Sequence, residues 1–222
     1  MKQDYYEALR QCPLFSGMGD ADIGRVMAGT PYRTLTLARH DIYCLCGDIC
    51  RHADIVTEGE LVARICGLSG RQVEVISLHP GDIIGPCFIF ASDKRLPVDI
   101  EAESDATLLR LSATALQQMV DGDPAVRRNF VRHLSDLSSY LATKIGFLSL
   151  LTVREKVAWF LRSEAAMQHS RHIRLDTSRQ RLADSFAIQK FSLLRCLADL
   201  ARQGIVKVEG KHITILDPAR LR

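Results

Sequence analysis

The stretch from Asp176 to Leu216, DTSRQRLADSFAIQKFSLLRCLADLARQGIVKVEGKHITIL, limits the fold of this chain more than any other. Thr177-x-x-Gln180 has capping-box spacing, in which a hydroxyl accepts from one orphan backbone N–H and the residue three positions on reaches back to another. A helix is expected to start there. Leu182, Ala183 and Phe186 share a face of it, a break follows over Ser185–Ile188, and Leu193, Cys196, Leu197 and Leu200 recur at helical spacing in a second helix. Gly204 has the position of a C-terminal cap. Ile205–Val208 and His212–Ile215 are short β-rich runs on either side of Glu209-Gly210-Lys211, hence a hairpin. Helix, turn, helix and hairpin in that order describe a winged helix-turn-helix.

Charge is concentrated in the same place. Residues 171–222 carry 11 Lys/Arg against 5 Asp/Glu, whereas residues 1–170 carry 18 against 21. Arginine and lysine bond phosphates and donate to guanine O6 and N7 in a major groove wide enough for a helix. Off the apolar face of the second helix lie Gln189, Lys190, Ser192, Arg195 and Asp199. The candidate DNA-binding set is Thr177, Arg179, Gln189, Lys190, Ser192, Leu194, Arg195 and Lys211. A basic helical hairpin also serves to dock on a partner protein; the wing favours DNA.

Taken whole, the 222 residues are ordinary globular material, 47% apolar and 25% charged, enough for one large domain or two ordinary ones. No run of 18 apolar residues and no basic-then-apolar leader is present in the sequence, so the expectation is a cytoplasmic protein without a membrane partner. Seven unevenly spaced cysteines point to reduced thiols rather than a disulfide framework. No phosphate-cradling glycine loop, paired-carboxylate site or Ser/His arrangement appears, so no catalytic residue is assigned and an enzyme is not expected.

Residues 1–30 read as two short helices, one with Tyr5, Leu9 and Cys12 on a face, the other capped by Asp20 and running through Met27, with Pro13–Met18 between them. Seven strands follow without intervening helices: Arg33–Leu37, Ile42–Cys46, Ala53–Val56, Leu61–Ile65, Val73–Leu78, Val98–Ala102 and Thr107–Leu111. Turns at Gly47-Asp48, Glu58-Gly59, Gly67–Gly70 and Pro80–Asp82 separate them, which implies an antiparallel sandwich or roll. Asp123-Pro124 then caps a long helix with an apolar seam at Val126, Phe130, Leu134, Leu137, Leu141 and Leu148. Such a seam packs on its own roll or on a twin. Dimerisation through Phe130, Leu134, Leu137 and Leu141 is the expectation, because a helix-turn-helix spans two half-sites as a dimer. A linker is expected over Gly146–Thr152, then a helix over Thr152–Met167 with Trp159 in core or hinge packing. The fold class is α+β, with a β-roll over 1–120, a dimerisation helix over 121–148 and a winged helix-turn-helix over 149–222.

This order of parts resembles the Crp/Fnr family of bacterial transcription regulators over nearly the whole chain. Pro13-Leu14-Phe15 is similar to the family's N-terminal entry, Thr57–Leu61 to a roll strand, Pro80-Gly81-Asp82-Ile83-Ile84-Gly85 to the roll's signature, and Val208–Ile215 to its wing. The resemblance implies a cyclic-nucleotide-binding-like roll holding a small effector near Gly85, Pro86, Arg95, Leu96 and Pro97, and makes RNA polymerase a candidate partner beside DNA and a second copy of the chain. In cyclic AMP-binding members a glutamate follows the glycine equivalent to Gly85, and an Arg-Ser pair holds the phosphate. Here Pro86 and Leu96-Pro97 stand at those positions, so the effector is not expected to be cyclic AMP.

Two alternatives remain for the signal. Cys44-x-Cys46-x3-Cys50, with Cys66 and Cys87, is the available thiol cluster, but its spacing matches no common ligand pattern and no metal residue is assigned. The recognition helix replaces the family's Glu-x-x-Ser-Arg with Phe191-Ser192-Leu193-Leu194-Arg195 and is closer to the variant of HcpR-like members, some of which bind haem; His40, His52 and His79 are the candidate axial ligands. The lost glutamate removes an acceptor for cytosine N4, and Leu194 offers a surface for a thymine methyl, so a non-standard half-site with Arg195 on a guanine is expected.

Overall fold

The run Ala53–Val56 is apolar at every position but Asp54, and the strand that carries it is buried along nearly its whole length. A strand covered on both faces has no use for the alternation of a half-exposed one. A computed structural model describes residues 3–67 and 72–221. Contacts divide the chain into two compact units, residues 1–71 with 75–140 and residues 141–222 with 72–74.

The first unit begins with α1 (Gln3–Gln11) and α2 (Asp20–Ala28), joined through a 3-10 turn over Pro13–Phe15. Tyr5, Leu9 and Cys12 are buried together, as their spacing predicts. The cap of α2 is Gly19, and Asp20 is the first helical residue instead. There it still faces the positive end of the helix dipole and pairs with Arg10 at 2.6 Å.

The strands are β1 (Tyr32–Leu37), β2 (Ile42–Cys44), β3 (His52–Glu58), β4 (Leu61–Cys66), β5 (Gln72–Leu78) and β6 (Ile83–Ile84). A short helix α3 (Pro86–Ile89) follows, then β7 (Asp99–Ala102), β8 (Ala106–Ser112) and α4 (Ala113–Gly122). They form two four-stranded sheets, in the orders β1-β8-β3-β6 and β2-β7-β4-β5. All seven expected strands are present. β6 escaped the sequence reading because it is only two residues long, and α3 corrects the expectation that no helix interrupts the strands. Residues 68–70 of the expected Gly67–Gly70 turn lie outside the described residues. Gly59 is fixed by its surroundings: with φ +82, an added Cβ would meet the Asp105 carbonyl at 2.2 Å.

Asp54, fully buried, is the one charged residue on β3's buried run. Arg110, its cross-strand neighbour on β8, donates from Nη2 at 2.7 Å and from Nε at 3.0 and 3.1 Å, and the Tyr43 hydroxyl donates at 2.9 Å. The Arg110 guanidinium also stands 5.8 Å from the Tyr43 ring centroid. Burial and the Asp54 carboxylate both raise the Tyr43 pKa, so its phenol stays protonated and keeps donating.

The long helix is α5 (Pro124–Leu150). Asp123 caps it, its Oδ1 accepting from the Ala125 and Val126 amides at 2.9 and 3.2 Å. Val126 and Phe130 belong to the roll's core, Phe130 meeting Phe90 edge-on at 5.6 Å. Phe130 therefore lies in the core of its own unit rather than on the exposed seam. Asn129, 5% exposed, donates to the Leu14 and Ser16 carbonyls and ties the helix to the 3-10 turn. The helix also runs through Gly146, which reduces the expected linker to Leu151 and Thr152.

The second unit contains α6 (Val153–Met167), β9 (His172–Arg174), α7 (Arg179–Ser185), α8 (Lys190–Arg202), β10 (Val206–Glu209) and β11 (His212–Ile215). Thr152 and Glu155 form a reciprocal capping box on α6. The sheet order is β10-β11-β9, and β9 is an element the sequence reading missed. Its core gathers Val157, Leu161, Ile173, Leu182, Phe186 and Leu193. Trp159 is 56% exposed and meets Phe147 of α5 edge-on at 5.0 Å, so of its two expected places, core or hinge packing, the contact fits the hinge. Among the described residues no helix is long and apolar enough to cross a membrane.

Removing the Asp54 carboxylate strips Arg110 and Tyr43 of a shared buried partner. Asp54→Ala is expected to destabilise the roll by about 3 kcal/mol in chemical denaturation, as loss of one member of a buried pair does.

Candidate nucleic-acid interface and effector cleft

The second unit presents α8 outward because its other face is core. Leu193, Cys196, Leu197 and Leu200 are buried, at the 3–4-residue spacing that predicted them. The same geometry exposes Lys190, Phe191, Leu194 and Arg195 on the opposite side. Gln189 is the N-cap residue of α8, exposed and without a side-chain cap bond, and Ser192 is half-buried.

α7 starts one residue later than its motif suggested. The cap is Ser178, whose hydroxyl accepts from the Arg181 amide at 3.1 Å. Thr177 does not cap: its Oγ1 is buried and makes no hydrogen bond among the described residues. Two hydroxyls in sequence compete for one cap, and the sequence alone does not separate them. Arg179 turns to the wing, its Nη2 donating to the Gly210 carbonyl at 2.9 Å. Burial lowers its pKa from the ordinary guanidinium value, yet the group remains charged at neutral pH. This residue thus holds the start of α7 to the hairpin turn. Lys211 sits beside Gly210 at the exposed tip of that turn, where Glu209 pairs with His212 across the hairpin.

The turn between α7 and α8 is held from behind. Ala187 adopts a left-handed conformation, φ +53, which costs a non-glycine residue about 1 kcal/mol. The Ile188 amide closes back on the Ala183 carbonyl at 3.0 Å. Lys156, 5% exposed, sends its ammonium to two carbonyls, Leu148 at 2.9 Å and Phe186 at 3.1 Å. Those are the last turn of α5 and the C-cap of α7, helix ends that carry partial negative charge. Phe147 packs against Phe186 at 5.7 Å, and Phe160 does so at 5.6 Å. Lys156 was not picked out by sequence reasoning, since a lysine on an amphipathic helix normally signals solvent.

In the first unit, the residues expected around an effector are only partly gathered. Gly85 has φ +87 and caps α3, and a Cβ there would meet the His52 carbonyl at 2.6 Å and Cys50 Sγ at 2.8 Å. Pro86 is buried at the first position of α3. Leu96 is buried, while Arg95 and Pro97 are exposed. The Leu96 amide bonds the Asp48 carbonyl and the Cys50 amide the Lys94 carbonyl, which lays residues 94–96 along 48–50. Beside them opens a cleft of about 490 Å³, lined by Tyr43, Cys44, Asp48, Cys50, His52, Leu96 and Arg110 among others.

Of the three histidines named as axial-ligand candidates, His52 borders this cleft, and its pKa is lowered by burial and then by Arg110. His40 is exposed and bonds Glu101 at 2.9 Å; His79 is exposed on a turn. Of the thiols, Cys50 lies close enough to Cys44 and to Cys87 to act on both electrostatically. Burial raises Cys44 to about 12 and also raises Cys50 and Cys87, while Cys46 and Cys66 are exposed. Protonated thiols are poor nucleophiles and poor ligands. Among the described residues, no group of three or more His, Cys, Asp or Glu side chains is placed to hold a metal ion.

Both units have counterparts. Residues 34–123 match the cyclic nucleotide-binding domain family, and residues 155–222 match the Crp-like helix-turn-helix domain family. The cAMP-activated global transcriptional regulator Vfr of Pseudomonas aeruginosa is 22% identical over 200 residues, 87% of this chain and 92% of that protein. The anaerobic regulatory protein of Haemophilus influenzae is 24% identical over 177 residues, covering 77% and 68%. Among solved structures, the c-di-GMP-responsive global regulator CLP of Xanthomonas campestris matches with a TM-score of 0.73 at 18% identity, covering 88% of this chain and 99% of that one. FixK2 of Bradyrhizobium japonicum matches with a TM-score of 0.66 at 19% identity, covering 86% and 96%. These structural likenesses establish a shared fold.

The Lys156 ammonium satisfies carbonyls that water cannot easily reach. Lys156→Met is expected to lower the stability of the second unit by about 1–3 kcal/mol, the cost of leaving buried acceptors unpaired. Faster amide exchange at Ala187 and Ile188 would accompany that loss.

Proposed function

The chain belongs to the Crp/Fnr family of transcription regulators, and from that premise we propose that it acts as a homodimeric, sequence-specific DNA-binding regulator whose roll answers a signal other than cyclic AMP. The observation that carries the DNA reading is the outward face of α8. Lys190 and Arg195 are exposed there while the opposite face is locked in the core. On this reading Arg195, at mid-helix, takes a guanine, and Lys190 and Lys211 take phosphates.

Dimerisation is supported by what α5 leaves uncovered. Leu134, Leu137 and Leu148 are half-buried, Leu141 is 37% exposed and Ile145 is 64% exposed. Ile145 extends the seam at the same spacing, and a second copy of the helix would cover it. RNA polymerase remains a family-based candidate for a further partner.

The departure from cyclic AMP is supported by the roll. Pro86 is buried with no side-chain acceptor where a ribose hydroxyl would need one, and Leu96 is buried where a phosphate would need donors. The cleft beside His52 and Arg110 is the candidate site for that signal, with the Arg110 guanidinium already committed to Asp54.

Retention on duplex DNA with a steep salt dependence is expected, and Lys211→Ala should flatten the slope of log K against log salt by about 1 while leaving sequence preference intact. Leu137→Glu with Leu141→Glu is expected to yield a monomer in light scattering that loses high-affinity binding to a two-half-site duplex; a dimer of unchanged affinity would contradict the interface. Cyclic AMP, titrated calorimetrically at millimolar concentration, is expected to give no binding heat, and saturable binding would overturn the reading of the roll.

A further inference from the structure

Two large apolar side chains stand on the face of α8 that points away from the core. Phe191, the second residue of the helix, is 71% exposed, and Leu194, one turn later, is 42% exposed. Neither belongs to the core of the unit, which the opposite face builds. At positions i and i+3 they form a single ridge. Exposed Lys190 and Arg195 lie on either side of that ridge, so a strongly anionic surface is the complement of its surroundings. Phe191 and Leu194 also carry no donor or acceptor, so a base amino or carbonyl group pressed against them would lose its water and gain nothing.

Thymine is the base that offers a methyl group in the major groove. We infer that Phe191 and Leu194 are specificity-determining residues that read the C5-methyl groups of thymines in the half-site, an inference that rests on the DNA-binding reading above. Arg195 takes the hydrogen-bonding part of recognition, and the ridge takes the apolar part. Phe191 occupies the position of the glutamate in the family's more usual motif, so an acceptor for cytosine N4 is exchanged for a surface that favours a methyl.

The test uses the full chain and a duplex selected from a random pool. Each thymine of the selected half-site is replaced in turn by deoxyuridine, which keeps the pairing edge and removes the methyl alone. Affinity is expected to fall about fourfold at each thymine the ridge touches, the fold-change that corresponds to burying one methyl group. In Phe191→Ala and Leu194→Ala the fall should vanish at the thymine each residue contacts. Both side chains are exposed, so the core is left intact in either variant. Phe191→Glu should instead move the selected base at its position toward cytosine. Deoxyuridine duplexes bound as tightly as thymine duplexes, or an equal fall in wild type and both alanine variants, would overturn the inference while leaving DNA binding in place. Failure to select any duplex would overturn the DNA-binding reading as well, which separates the two outcomes.

Discussion

Two helix ends in the DNA-binding unit converge on one buried ammonium group. Lys156 bonds the Leu148 carbonyl of α5 and the Phe186 carbonyl at the close of α7. A charge with so little exposure persists because both acceptors are helix-terminal carbonyls that need a donor. The turn it fixes sets where α8 begins, and the start of α8 sets which residues point away from the core. Had the helix been rotated by one residue, Leu193 would face solvent and Arg195 would not. The Phe147, Phe160 and Phe186 rings pack around the same point, so the polar clamp and the aromatic contacts restrain one turn together.

The winged helix-turn-helix was legible because its signal is periodic. Leu193, Cys196, Leu197 and Leu200 repeat at helical spacing, and Gly210 between two β-rich runs can hardly be anything but a turn. Its edges were less legible. Ser178 rather than Thr177 caps α7 because two neighbouring hydroxyls compete for one cap, and Gly19 rather than Asp20 holds the N-cap position of α2, where backbone geometry alone sets the helix start. β9 is three residues long and exists only through pairing with β11, some 40 positions away, so no local pattern announces it. Asn129 and Lys156 were invisible for another reason: polar residues on helices normally face water, and their buried roles depend on carbonyls supplied by distant segments.

The roll shows the same division. Its strands followed from alternation and glycine turns, while the buried Asp54–Arg110–Tyr43 group had no local signature. The apolar seam of α5 was legible as a stripe, but not its partition: Val126 and Phe130 are buried in the roll's core, Leu134 packs against it, and the stripe emerges only from Leu137 onward. Around Gly85 the family-like signature survives as backbone. Pro86 is buried at the start of α3 and Leu96 is buried on the segment laid along residues 48–50.

An α8 that lies in the major groove with Arg195 on a guanine would do so once in each of two symmetric half-sites. Dimethyl sulfate protection of guanine N7 on a selected duplex tests it most directly. Protected guanines are expected in two clusters whose centres lie one helical turn, roughly 34 Å, apart, with both protections lost in Arg195→Ala. A bound duplex with no protected guanine, or with protection that survives Arg195→Ala, would contradict it.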